Sequence, residues 1–325
     1  MLLQRVITAL VLLAILLPAL FYPSVTPFAL VVLVFMAAGA WEWGRLNGRG
    51  NAAALGLSAV CLALCAGSWW AGWLDRPLPL LWTLGGGLWV ACTAWLLRAG
   101  VPGWPLIPAP VRIVLGVLAL WLAWLAVVQA RILGINFLLS VLTLVWVADI
   151  FAYFAGRAFG LRFTRNKLAP SISPGKSWEG VWGGLAGVLC LAVAWVVADR
   201  YFQADVASFY TRLYSAGWWF LAIAVVFMVA MSVAGDLVES LIKRSAGVKD
   251  SSGLLPGHGG VLGRVDALLP TLPLALMLTR LISEKSKKSR FWAPQGPSEK
   301  TRSTWWRGIR IATRSLRSAR RPRSI

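Results

Sequence analysis

Between Asp236 and Asp266 the chain reads DLVESLIKRSAGVKDSSGLLPGHGGVLGRVD. This stretch holds four acids (Asp236, Glu239, Asp250, Asp266), four bases (Lys243, Arg244, Lys249, Arg264) and the only histidine, His258. Asp236, Glu239, Ser240 and Lys243 are spaced i, i+3, i+4, i+7, which on a helix makes one polar face. LLPGHGG is rich in breakers, and Gly257, Gly259 and Gly260 permit backbone angles closed to other residues. Carboxylates able to hold Mg²⁺ beside cations able to hold phosphates are the parts that phosphoryl-type transfer requires. A solvated charged loop would account for the Lys and Arg. It leaves the acids, His258 and the glycines among them without a reason.

A second polar set lies upstream. Asp149 stands inside the apolar run VLTLVWVADIFAYFAG, where an unpaired carboxylate at membrane depth costs about 3 kcal/mol on insertion scales. Such a group faces a partner or a watery cavity, unless it sits at the hydrated end of its span. Tyr153 and Gly156, at i+4 and i+7, share its face. The loop that follows, GRAFGLRFTRNKLAPSISPGKSWEG, offers cations and exposed N–H groups suited to phosphate oxygens. It equally satisfies the bias of basic loops toward the cytoplasm. Gly175-Lys176-Ser177 is not a nucleotide-binding P-loop, because Pro170 occupies the position of the required glycine and no strand precedes it.

The elements that must position these groups are membrane spans. Of 325 residues, 58% are hydrophobic and 14% charged, with mean hydropathy +0.71, the composition of a polytopic membrane protein. Apolar runs of about 20 residues, the length a crossing helix needs, fall at 1–22, 26–44, 53–73, 79–97, 112–131, 135–156, 180–199, 217–235 and 267–282. The expected fold is all-α with about nine transmembrane helices. YPSVTP after the first run lacks a small-residue cleavage site, so that run reads as an uncleaved span, and Trp41-Glu42-Trp43 reads as an interfacial anchor. Arg45 and Arg49, Arg98 and Arg112, the bases of 157–176 and those of 243–264 occupy alternate connections. By the positive-inside bias these connections and the amino terminus are cytoplasmic.

Residues 1–283 thus form one membrane-embedded domain, with catalytic segments expected at 149–180 and 236–266. The tail, 284–325, carries thirteen Lys/Arg against two Glu and reads as disordered or as a surface-binding arm. The net charge of +20 points to anionic lipid and topology, and not to nucleic acid. Cys61, Cys65, Cys92 and Cys190 lie in apolar runs without His or acidic partners, as small packing residues do.

The run S-L-I-K-R-x4-K-D-x-S-x2-L-P-G-H-G-G, Ser240 to Gly260, followed by Arg264-x-Asp266, closely resembles the signature of the phosphatidate cytidylyltransferases, or CDP-diacylglycerol synthases. DIFAYFAGRAFG and KLAPSISPGKSWEG are similar to further segments of that family, so the resemblance covers most of 1–283 and not the tail. It implies the reaction CTP + phosphatidate → CDP-diacylglycerol + pyrophosphate with Mg²⁺, a second cation being a further candidate. The partners implied are CTP, phosphatidate and membrane lipids, without nucleic acid, and a homodimer is admitted. The resemblance assigns catalytic roles to Asp236, Lys243, Arg244, Lys249, Asp250, His258, Arg264 and Asp266. Substrate contacts fall to Asp149, Lys176, Ser240, Gly259 and Gly260. Asp236 is the expected metal ligand, together with an acid just before Arg264.

One position departs. The family pattern runs H-G-G-x-x-D-R-x-D, and Gly263 stands where its first Asp belongs. Asp266, about one helical turn on, is the remaining candidate for the second metal carboxylate. Two other classes compete. Intramembrane Asp149 and basic loops would also suit a transporter of an anionic substrate, although the first half holds no repeat of the central stretch. A non-catalytic relative or scaffold, its basic tail binding lipid headgroups, is the third reading. A CDP-alcohol phosphotransferase would need a DGxxAR-type acidic motif, which the chain lacks.

Overall fold

In hydrocarbon a backbone has no partner but itself, so long apolar runs form helices. The structure, a computed structural model, describes the backbone of residues 2–292 and the side chains of residues 3–282. Among them are α1 (Leu2–Phe21), α2 (Thr26–Leu46), α3 (Asn51–Trp70), α4 (Pro79–Ala99), α5 (Ala109–Leu133) and α6 (Ile135–Phe159). There follow α7 (Trp178–Tyr201), the short α8 (Phe209–Tyr214), α9 (Trp218–Ser245), the single turn α10 (Leu262–Val265) and α11 (Leu268–Trp292). No strand occurs among the described residues. Two isolated bridges, Ala169–Ser173 and Leu255–Gly259, close tight loops.

Among the described residues nine stretches are long and apolar enough to cross a bilayer: α1 to α7, α9, and Leu262–Ile282. The chain is an all-α integral membrane protein, as its composition predicts. Two boundaries differ from expectation. The last span begins at Leu262 and not near 267, because the backbone turns helical as soon as the glycine-rich loop ends. α9 runs through all 28 residues to Ser245, well past the apolar run that ends near 235. The chain divides into two units, Met1–Ile282 and Ser283–Ile325. The disordered tail expected over 284–325 lies, past the helical backbone that reaches Trp292, outside the described residues.

α5 and α9 form the interior. Residues 122–130 of α5 are buried on every side, as befits a helix that is apolar all round. Trp124, fully buried, donates from Nε1 to the Ala29 carbonyl at 3.0 Å. Contacts sort the connections into two ends. At one, Trp43 packs edge-on against Trp104 and donates to the Arg112 carbonyl at 3.1 Å, while Arg244 Nε reaches the Ile172 carbonyl at 3.4 Å. At the other, Arg131 donates to the carbonyls of Leu20 and Tyr22, each at 2.8 Å. There Asp199 also gathers Asn136, Ser208 and Thr211.

α6 and α7 make the most extensive helix pair, and glycine is the reason. A Cβ on Gly184 would lie 2.7 Å from the Ala148 carbonyl oxygen, and one on Gly180 would lie 3.0 Å from that of Ala152. Small residues let the two backbones meet where lipid offers no hydrophobic drive. The connecting loop is thereby folded back over the end of α6. Gly184→Val must part the helices and is expected to lower the melting temperature in detergent by at least about 5 °C. An unchanged midpoint would show that the contact is dispensable.

Candidate functional site

α9 keeps its helix beyond the apolar run, and its polar face supplies the base of the site. Ser240 Oγ donates to Asp236 Oδ1 at 3.2 Å, and Lys243 is ion-paired with Glu239 one turn earlier. Lys176, from the loop between α6 and α7, reaches across to Asp236 Oδ2 at 2.6 Å. Asp149 on α6 lies within electrostatic reach of both Asp236 and Lys176. Asp266, just after α10, lies within reach of Asp236, Glu239 and Lys176, and its Oδ1 accepts the Ala267 amide at 2.8 Å. Segments separated by some sixty residues of sequence therefore meet in one cluster. Its four carboxyl groups share two ammonium groups, an imbalance that favours a bound cation.

The loop 246–261 stands beside this cluster. Gly257 and Gly259 take positive φ of 75° and 78°, angles that side chains resist. These turns let Leu255 donate to the Gly259 carbonyl at 2.8 Å and His258 to that of Leu255 at 2.9 Å. Asp250 packs against Gly259, where a Cβ would lie 3.3 Å from Oδ1. Arg264 Nη2 braces the loop through the His258 carbonyl at 2.7 Å. His258 Nδ1 is buried without a hydrogen-bond partner. Lys249, Arg244 and Arg264 are exposed at the rim.

Of the sequence-derived candidates, Asp149, Lys176, Asp236, Ser240, Lys243 and Asp266 form the cluster. Asp250, His258, Gly259, Gly260 and Arg264 belong to the loop beside it. The shared face of Asp149, Tyr153 and Gly156 divides in the structure. Tyr153 is exposed and its hydroxyl accepts from Arg157 at 3.0 Å, whereas Gly156 gives room to Ser177, whose Oγ lies 3.3 Å from where a Cβ would stand. A Cβ on Gly263 would lie 3.5 Å from Glu239 Oε1 and 3.9 Å from Lys243 Nζ. An aspartate there would thus join the Glu239–Lys243 pair.

Two further carboxylates tie the loops down. Glu179, 6% exposed, accepts through Oε1 from the amides of Phe163 and Thr164 (3.1 and 2.8 Å) and from Thr164 Oγ1 (2.8 Å). Glu42 is fully buried. It accepts from Ser251 Oγ (2.9 Å), Ser252 Oγ (2.5 Å) and the amides of Val261 and Leu262 (both 2.8 Å). The Trp41-Glu42-Trp43 triplet is therefore more than an interfacial anchor: its acid points inward to the polar loop. The available signal was an acid at the end of a span on the side where the charged stretch lies.

The nine spans of the described residues, a charged cluster at their ends and a glycine-turned loop beside it define an integral membrane protein with a polar site set at the ends of its helices. A sequence model of the cytidylyltransferase family matches residues 3–282. The chain is 38% identical over 293 residues to a phosphatidate cytidylyltransferase of Pseudomonas aeruginosa, covering 84% of this chain and 95% of that one. Shorter matches join it to phosphatidate cytidylyltransferases of Haemophilus influenzae (49% over 147 residues, 43% of this chain and 44% of the relative) and Thermotoga maritima (41% over 145 residues, 44% and 49%). The chain belongs to the cytidylyltransferase family.

The Lys176–Asp236 pair joins the α6–α7 loop to α9, as the Arg244 contact with the Ile172 carbonyl also does. In a double-mutant cycle, Lys176→Met and Asp236→Asn should couple by at least about 0.5 kcal/mol in thermal or denaturant stability. Strictly additive losses would mean that the pair does not hold the segments together.

Proposed function

We propose that the chain transfers the cytidylyl group of CTP to phosphatidate. The observation that carries this reading is the contact between charged cluster and apolar cavity. A cavity of about 530 Å³ between α4, α5 and α9 is walled by apolar groups such as Leu88, Trp89, Leu118 and Trp121, and Glu239 and Asp266 of the charged cluster are also in its wall. Leu88 and Leu118 are exposed, so its mouth opens toward lipid. A site that is charged at one end and greasy at the other suits a substrate with a phosphate head and acyl chains. A soluble nucleotide sugar or a small anion in transit would need no such wall.

The reaction needs no protein nucleophile. An oxygen of the lipid phosphate attacks the α-phosphorus of CTP, a P–O bond forms, the bond to the β-phosphate oxygen breaks, and pyrophosphate leaves with the electron pair. The chain's task is to align two anions and offset their charge. Lys176, Lys243, Arg244, Lys249 and Arg264 meet phosphate oxygens in this reading. Asp149, Ser240, Gly259 and Gly260 line the substrates, and Asp250 and His258 complete the polar loop. The unpartnered Nδ1 of His258 suits a hydrogen bond from or to the nucleotide.

Mg²⁺ fits a limited donor set. Among the described residues no three His, Cys, Asp or Glu side chains are arranged to cage a metal, and Gly263 supplies no carboxylate. Asp236 and Asp266, near enough to interact, are the residues that would hold the ion. Mg²⁺ commonly binds through one or two carboxylates, with water and phosphate oxygens completing its shell. When bound it would offset the charge of the triphosphate and stabilise the departing pyrophosphate. Gly263 is expected to weaken that hold and to slow turnover. The basic end of the molecule, with the site, faces the cytoplasm across a bacterial inner membrane in this reading. Residues 1–283 act as the catalytic domain, and a homodimer is the assembly to look for.

Purified protein given labelled CTP, phosphatidate and Mg²⁺ should yield lipid-linked CMP, and Gly263→Asp should yield it faster, by about tenfold or more. Asp236→Asn should abolish the product. No product from either the natural chain or Gly263→Asp, with both folded, would refute the assignment. Product from Gly263→Asp alone would identify the natural chain as a disabled relative.

A further inference from the structure

We infer that Glu42 is a positioning residue for this transfer: from α2 its buried carboxylate holds the 246–261 loop and the start of α10 in the shape that receives the CTP triphosphate. The inference rests on the cytidylyltransferase reading for the identity of the ligand, but its geometry is independent. Oε1 takes Ser252 Oγ and the Val261 amide, and Oε2 takes Ser251 Oγ and the Leu262 amide. One carboxylate thus grips the loop on both flanks of Pro256-Gly257-His258-Gly259-Gly260. Asp250 adjoins the first flank, and Arg264 and Asp266 follow the second. All four partners are neutral donors, and Glu42 is 0% exposed. A buried carboxylate with four good donors fixes those donors closely, since each would otherwise be left unsatisfied in a dry site.

The neighbouring glycine supports the same account. A Cβ on Gly260 would come within 2.7 Å of both Glu42 oxygens, so the backbone must be bare there for the carboxylate to reach the amides beyond it. The glycines of HGG then have distinct tasks. Gly259 adopts the left-handed turn, and Gly260 lets the loop approach α2. Glu42 lies 219 and 220 residues from Val261 and Leu262 in sequence and belongs to no signature run.

Glu42→Gln is the informative substitution. It keeps the size but turns one acceptor oxygen into an NH₂ donor, which must face a donor of the loop. An unsatisfied buried donor then loosens the loop, and kcat/KM for CTP is expected to fall about tenfold to a hundredfold, chiefly in KM. The KM for phosphatidate should stay within about twofold, because the lipid meets other walls of the site. Glu42→Asp, which keeps both acceptors, should recover part of the loss. Amide exchange at Val261 and Leu262, measured in nanodiscs, should accelerate in Glu42→Gln. Ser251→Ala combined with Ser252→Ala removes two donors while leaving the Val261 and Leu262 amides on Glu42, the exposed Leu254 amide exchanging Ser252 Oγ for water, and should raise the CTP KM about threefold to tenfold. This double variant decides the matter where Glu42→Gln fails to fold.

Equal losses for both substrates, a fall in kcat with an unchanged CTP KM, or unaltered exchange at Val261 and Leu262 would each overturn the inference. Equilibrium binding of labelled CTP, read in the same preparations, does not depend on turnover. If the natural chain makes no lipid-linked CMP, the transfer reading fails. CTP binding that weakens in Glu42→Gln would still support the positioning role. CTP binding that is equal in both, or absent from both, would overturn it.

Discussion

A carboxylate carried into a membrane protein must find donors or cations there, because hydrocarbon supplies neither. The site depends on that constraint. Asp236 finds Lys176, Glu239 finds Lys243, Glu179 finds the backbone near Thr164, and Glu42 finds the loop that ends at Leu262. Each pairing joins an element to another remote from it or stiffens a face of α9. The acids are thus the fasteners of the polar end as well as candidates for its chemistry. The rest of the fold serves to bring them within reach: glycines draw α6 and α7 together, and α9 extends rigidly out of its apolar run.

Charge and apolar surface are also set in deliberate proximity. Glu239 and Asp266 line a cavity whose remaining walls are Leu, Trp and other apolar groups. Carboxylates in such a place repel a phosphate unless cations intervene. Lys176 and Lys243 already answer two of them, which leaves a demand for further positive charge that a divalent ion can meet. Gly263 lessens that demand, since the site has one negative charge and one oxygen donor fewer beside the Glu239–Lys243 pair than an aspartate there would give it.

Much of this was legible in the sequence because span-length apolar runs and a long mixed signature leave few alternatives. The polar face of Asp236, Glu239, Ser240 and Lys243 follows from spacing alone. The start of the last span was not legible, because Gly263, Arg264 and Asp266 look like loop until the backbone is seen to turn at Leu262. Neither was the meeting of Lys176 with Asp236, a contact between a coiled loop and a helix sixty residues on. Glu42 was hidden for a similar reason. Beside two tryptophans it looks like any interfacial acid, and its partners lie more than two hundred residues downstream.

That separation has a consequence for the order of assembly. α2 enters the membrane early in synthesis, whereas Ser251, Val261 and Leu262 emerge near its end. At ordinary elongation rates the interval is about 10–40 s. Throughout it, Glu42 sits at the end of an apolar helix with none of the four donors that satisfy it in the finished protein. The newborn chain must shelter that acid in water or in headgroups until the final span arrives. Completion of the polar end is therefore among the last events of folding, and a chain truncated before residue 251 would lack all four of the donors that Glu42 holds in the finished protein.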